Sequence, residues 1–145
     1  MSEIAWELSH SVETTAPIEA AWAFMTNVAN WSDPPATFEL DGPFAAGARG
    51  TTRMPEQPPL HWLIAGMRPL ESYAIEGSLG GATMTTEWSF AALGSGGTRL
   101  TQRMTLLRAP GDSALAEQAR AVFGENLAPG MERIAGLIDR AAGSS

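Results

Sequence analysis

Polar and apolar residues alternate from Ile4 to Thr14: Ile4, Trp6, Leu8, His10, Val12 and Thr14 fall on one side, and Glu7, Ser9, Ser11 and Glu13 on the other. A period of two with one apolar face predicts a half-buried strand. Thr15-Ala16-Pro17 then predicts a helix start, with Thr15 or Ala16 as cap and Pro17 in the first turn, where an amide needs no partner. Ile18, Ala21, Trp22 and Met25 recur at helical spacing and are expected to face the core. Val28 to Trp31 is expected to add a short helical turn before Asp33-Pro34-Pro35 stops it.

Six strand-like segments follow at hairpin spacing: 37–40, 48–54, 60–67, 72–79, 83–92 and 98–108. Gly- and Pro-rich separators such as Asp41-Gly42-Pro43, Gly80-Gly81 and Gly94 to Gly97 mark turns, so the run reads as an antiparallel meander. Met84, Thr86, Trp88 and Phe90 share one face, as do Leu100, Gln102, Met104 and Leu106. In the 60–67 segment both faces are apolar, and its inward side cannot be read.

The last element begins after Pro110-Gly111, with Asp112 as the expected N-cap. Ala119, Val122, Phe123, Asn126, Gly130, Ile134 and Leu137 form the expected inward stripe, and Pro129 is expected to kink or break the helix near residue 126. The order is β-α-α-β6-α in one domain spanning 1–145. With so few helices, a sheet of about seven strands can bury its inner face only by curling around the terminal helix. The fold class is therefore α+β, a curved antiparallel sheet around a long C-terminal helix, with an internal cavity where helix and sheet fail to fill the space between them.

Composition narrows the chemistry. The chain has no cysteine, which removes thiolate nucleophiles and cysteine-ligated zinc. All nine of its basic residues are arginine, which removes Schiff-base lysines and the P-loop lysine. A net charge of −7 without a basic run disfavours nucleic acid. No apolar stretch approaches the roughly 20 residues of a membrane span. The acidic N-terminus is unlike a signal peptide, so a cytoplasmic location is expected. No nucleophile elbow, dinucleotide fingerprint or zinc-protease motif is present, and no cofactor or metal is expected.

Ala16-Pro17-Ile18-Glu19-Ala20-Ala21-Trp22, Val28-Ala29-Asn30-Trp31, Asp41-Gly42-Pro43-Phe44 with Gly47, and Glu87-Trp88-Ser89-Phe90 followed by Gly97-Thr98-Arg99-Leu100-Thr101 together resemble the START-like superfamily. Within it the similarity is to the polyketide cyclase/dehydrase and lipid-transport branch. The resemblance implies a helix-grip fold with a hydrophobic tunnel between the sheet and the last helix. It implies no particular activity, because such folds serve lipid carriers, hormone receptors, aromatic cyclases and co-chaperone domains, and fold alone does not decide among them.

Candidate site residues come from the chain itself. His10 lies between Leu8 and Val12 on an apolar face, either as a general acid/base in the cavity or as a structural histidine. Gln102 and Asn126 are amides on otherwise apolar faces, which must find partners in protein or ligand. Asn126 has a second possible role, bonding backbone groups freed by Pro129. Trp62, Met84, Trp88, Met104 and Phe123 are expected to line the cavity or fill the core. His61, following Pro58-Pro59, is expected at the surface or the mouth. These residues suit binding or transport of a small hydrophobic molecule by a monomer or homodimer. A cyclase- or dehydratase-type enzyme using His10, and a protein-interaction module, are the alternatives.

Overall fold

The computed structural model describes residues 4–30, 36–79, 82–107 and 113–143. Its elements are β1 (Ile4–Thr14), α1 (Ile18–Met25), a 3-10 turn (Val28–Asn30), β2 (Thr37–Leu40), β3 (Arg49–Arg53), β4 (Leu60–Arg68), β5 (Ser72–Leu79), β6 (Ala82–Ala92), β7 (Thr98–Leu107) and α2 (Ser113–Gly143). The expected caps and turns at Asp112, 33–35 and Gly80-Gly81, along with Trp31, lie outside the described residues.

The strands form one antiparallel sheet in the order β1-β7-β6-β5-β4-β3-β2. The meander thus runs in sequence from β2 to β7, and β1 closes beside β7 as the far edge. This curved sheet and its C-terminal helix make the helix-grip α+β fold. The alternation sets the faces. Trp6, Thr14, Trp88, Phe90, Leu100, Met104 and Leu106 are buried on the inner side. On the outer side Glu13 pairs with Arg99 and Glu87 with Arg103, all well exposed, and Ser11 meets the Thr101 hydroxyl. Exposed pairs like these contribute little to stability.

α1 opens one residue later than expected, with Pro17 as its N-cap. Pro17 has no side-chain donor or acceptor to offer, but its carbonyl accepts from the Ala21 N–H. Ala21 and Met25 are buried, with Ile18 and Trp22 packed beside them.

For α2, the break expected as one outcome near residue 126 does not occur: the helix is continuous across Pro129. Proline removes one N–H, which leaves the Glu125 carbonyl free, and both residues face solvent, where water can supply the missing donor. The inward stripe is also rotated by about one residue. Phe123, Leu127, Met131, Ile134, Ala135 and Ile138 turn inward, whereas Val122 is 56% exposed and Asn126 is exposed as well. Burying Leu127, Met131 and Ile138 removes more apolar surface from water than burying Asn126 and Gly130 would.

The C-terminal end of α2 is latched to the junction between β1 and α1. The Asp139 carboxylate accepts hydrogen bonds from the Thr14 hydroxyl, from the Thr15 N–H at 2.9 Å and from the Thr15 hydroxyl at 3.1 Å. Thr98, fully buried, donates to the Ala16 carbonyl at 2.8 Å and ties β7 to the same junction. No helix among the described residues is long and apolar enough to cross a membrane.

Candidate functional site

Strand register brings the candidate residues together. His10 lies opposite Gln102, Gln102 opposite Trp88, and Trp88 opposite Tyr73. The four residues therefore form one lateral row on the inner face, across β1, β7, β6 and β5. Three interstrand spacings put its ends roughly 14 Å apart. The next row toward the β1 N-terminus carries Leu8, Met104, Thr86 and Ile75, and the one after it Trp6, Leu106, Met84, Gly77 and Trp62.

Within the row, His10 and Gln102 lie between two apolar clusters, one of which includes Trp88 and Tyr73. On one side, Trp6, Met104 and Leu106 gather Leu8, Met84 and Phe123, whose ring sits 6.1 Å from that of Trp6. On the other, Tyr73, Phe90, Leu100, Met131 and Ile138 pack under α1. Leu127 of α2 touches both clusters. His10 and Gln102 are half-buried, and neither side chain is hydrogen-bonded to the protein among the described residues. An imidazole and an amide set between apolar clusters without protein partners remain available to another molecule.

Access to the row follows from the uneven seating of α2. Between Glu117 and Asn126 every described side chain is exposed except Phe123, which is half-buried. From Met131 onward the helix packs firmly, with Met131, Ala135 and Ile138 buried. α2 runs chiefly against β1, at the sheet edge. The inner-face residues Leu8, Met84, Thr86 and Ile75 accordingly keep partial contact with solvent.

The remaining candidates fall elsewhere. Trp62 points inward, because its cross-strand partners are Gly50 and Gly77. Its indole lies over Gly50, where a Cβ would collide with the ring, and its N–H donates to the Thr52 hydroxyl at 3.0 Å. Asn126, expected on the inward stripe, instead donates from its amide to the Val122 carbonyl at 2.8 Å. That carbonyl lies one turn back on the same helix, so the bond is local to α2 and away from the row. His61 is exposed beside Thr51, with its Nδ1 3.3 Å from the hydroxyl.

Tyr73 completes the row and was absent from the sequence-based candidates. It is 1% exposed, and its hydroxyl is the buried side-chain polar atom among the described residues that has no hydrogen-bond partner. Burial pushes the phenol pKa far up, so it stays neutral. Alternation of Tyr73, Ile75 and Gly77 against Ser72, Ala74 and Glu76 is the signal that could have placed it inward.

A shallow recess of about 230 Å³ lies apart from the row, lined by Ala20, Ala23, Phe24, Asn30, Ile138 and Ala141. The Asn30 amide is already engaged there, donating to the Phe24 carbonyl at 3.1 Å. Among the described residues, no three histidine or carboxylate side chains converge as a metal site would require.

Several solved structures share this fold. Protein MLL2253 from Mesorhizobium loti superposes with a TM-score of 0.76 at 14% identity, covering 93% of this chain and 98% of that one. The ZhuI aromatase/cyclase from Streptomyces sp. R1128 gives 0.73 at 19% identity, covering 93% and 94%. Norcoclaurine synthase from Thalictrum flavum, in complex with dopamine and hydroxybenzaldehyde, gives 0.70 at 13% identity, covering 94% and 87%. Among curated proteins none matches in sequence. The profile of the family described as polyketide cyclase/dehydrase and lipid transport matches residues 5–139, and by that match over nearly its whole length the chain belongs to this family.

Proposed function

We propose that this protein binds a small hydrophobic molecule, a lipid, polyketide or aromatic metabolite, between the inner face of the sheet and the N-terminal half of α2. One observation carries the reading: half-buried His10 and Gln102, in one row with the buried Trp88, lie beneath a helix that seats firmly only through its other half. Apolar side chains above and below the row supply affinity, and the imidazole and amide orient a polar group. The residues assigned inward by register include no arginine, glutamate or aspartate among the described strands. A neutral or weakly polar ligand suits that surface better than a phosphorylated one.

A thermal-shift screen tests the reading. Neutral aromatic and polyketide-like compounds are expected to raise the melting temperature, since ligand at a hundred times its Kd stabilises by about 2.7 kcal/mol. Nucleotides and sugar phosphates are expected to leave it unchanged. The opposite ranking would overturn the proposal.

Catalysis of a cyclase or dehydratase type is the second reading, favoured by the lack of a partner for His10 among the described residues. His10→Gln would then abolish turnover and leave affinity largely intact. Loss of affinity with no measurable turnover in the unmodified protein would restrict His10 to orienting the ligand.

A further inference from the structure

Tyr73 is the chain's one tyrosine, set in an environment that phenylalanine would satisfy. Its ring is held at near-perpendicular angles by Phe44, with centroids 5.0 Å apart, and by Trp22 at 6.0 Å, while Phe90 lies 6.1 Å away. These contacts involve the ring and leave the hydroxyl unused. A buried hydroxyl with no partner destabilises the free protein. Such a group has a physical rationale when its partner arrives from outside.

Of the three rings, Phe44 is the one carried on a loop. It sits between β2 and β3 and is half-buried. Gly42 and Gly47 flank it, each with φ near +90°, a conformation open to glycine and strained for other residues. Trp22 and Phe90 belong to α1 and β6, whose backbones are hydrogen-bonded throughout. Phe44 is therefore the covering side chain whose displacement disturbs neither a helix nor a strand.

We infer that the Tyr73 hydroxyl donates a hydrogen bond to an acceptor oxygen of the bound molecule, a ketone or similar neutral carbonyl, which reaches it by displacing Phe44. The inference rests on the binding role proposed above and adds a specificity determinant to it. In its row Tyr73 stands at the opposite end from His10, with the Trp88 indole between them. Ligand shape follows from that arrangement: a flat apolar body against the indole, with its carbonyl at the β5 end.

Two isosteric probes separate the possibilities, 2-acetylnaphthalene with an acceptor oxygen and 2-ethylnaphthalene without one. Binding is measured calorimetrically on the full chain, its Tyr73→Phe variant and its Phe44→Ala variant, together with unfolding midpoints in the absence of probe. The unmodified protein is expected to prefer the ketone by about five- to tenfold, the yield of one net hydrogen bond. Tyr73→Phe is expected to erase that preference, to keep its affinity for the hydrocarbon, and to unfold at the same temperature or higher. Phe44→Ala is expected to tighten ketone binding, because the displacement no longer has to occur. If the hydrocarbon binds and the ketone gains nothing over it, the inference falls while the binding role stands. A Tyr73→Phe variant that unfolds several degrees lower and keeps the ketone preference also overturns it, since the hydroxyl would then be satisfied within the protein. If neither probe binds the unmodified protein, the binding role itself fails and the inference with it.

Discussion

Replacing Asp139 with alanine removes the carboxylate at which α2, β1 and the entry to α1 meet. One oxygen accepts from the Thr14 hydroxyl, the Thr15 N–H and the Thr15 hydroxyl, while the Thr14 hydroxyl in turn accepts from the Ala16 N–H at 3.2 Å. Thr14 is 3% exposed, so its hydroxyl proton would be left without a partner. Thr15 is exposed, and water can replace the carboxylate there. A hydrogen bond to a charged group contributes about 1.5–3 kcal/mol, and an unsatisfied buried hydroxyl costs about 1–3 kcal/mol. Because these terms describe the same contacts and the site is partly solvated, Asp139→Ala should cost about 2–3 kcal/mol. Asp139→Asn keeps the shape and one acceptor oxygen and loses the charge, so about half of that cost is expected.

The pH dependence distinguishes this latch from simple packing. The Thr14 hydrogen bond is the largest influence on the Asp139 carboxyl and holds its pKa below the ordinary value, against an opposing effect of burial and with further help from Thr15. A carboxyl depressed in the folded state stabilises fully above the unfolded pKa, near 3.9, and loses that contribution as pH falls through the folded value. Urea unfolding of the parent protein and Asp139→Asn should therefore differ by a constant amount from about pH 5 to 8, with the gap closing below about pH 4. An Asp139→Ala variant within about 0.5 kcal/mol of the parent at pH 7 would refute the latch. A gap that stays unchanged well below pH 4 would refute the role of the charge.

Gly97→Ala should destabilise by about 2 kcal/mol or more, because a Cβ there would collide with the rigid Thr14 backbone carbonyl; chemical denaturation measures it. Phe123→Ala should cost about 1–2 kcal/mol, below the roughly 3–5 of a fully packed phenylalanine, since Phe123 is only half-buried beside Trp6; a full-sized loss would mean that the N-terminal half of α2 is seated in solution.

Strands were legible because their two signals are local. Alternation assigned the faces of β1, β6 and β7, and the Gly and Pro separators set the strand ends to within a residue or two. β4 resisted for a reason visible in its register. An irregularity between Ile64 and Gly66 shifts its parity, so that Trp62 and Ile64 point inward and then Met67 does, opposite Tyr73. No simple period of two could describe that strand. In α2 the alanines and glycines leave two competing stripes that share Phe123 and Ile134, and the one chosen from sequence placed Asn126 and Val122 inward. Only the tertiary partners decide between them. Tyr73 and Asp139 share the opposite difficulty. Their significance is long-range, an unmet hydroxyl under α1 and a contact across 125 positions, and neither leaves a mark in nearby sequence.

These features divide the molecule into a firmly packed half and a more loosely covered one. Met131, Ala135, Ile138 and the Asp139 latch fix the C-terminal end of α2 over the cluster beneath α1, where the buried aromatic residues are concentrated. Toward the N-terminal end of the same helix, exposed side chains and the half-buried Phe123 leave the second cluster and the His10–Gln102 row incompletely covered. Local stability follows buried apolar contact, so the loosely seated turns are those that open at least cost. Pro129 lies between the two halves, where a missing amide already removes one rung of the helical ladder. A ligand entering beneath the open half would gain apolar contact with Phe123, Leu8 and Met84 without disturbing the latch. Substitutions at His10 and Gln102 should therefore alter binding far more than folding, those at the buried Trp88 both, and those around Asp139 the reverse. Tyr73 is the exception, because it lies inside the stable half while its hydroxyl has no function there.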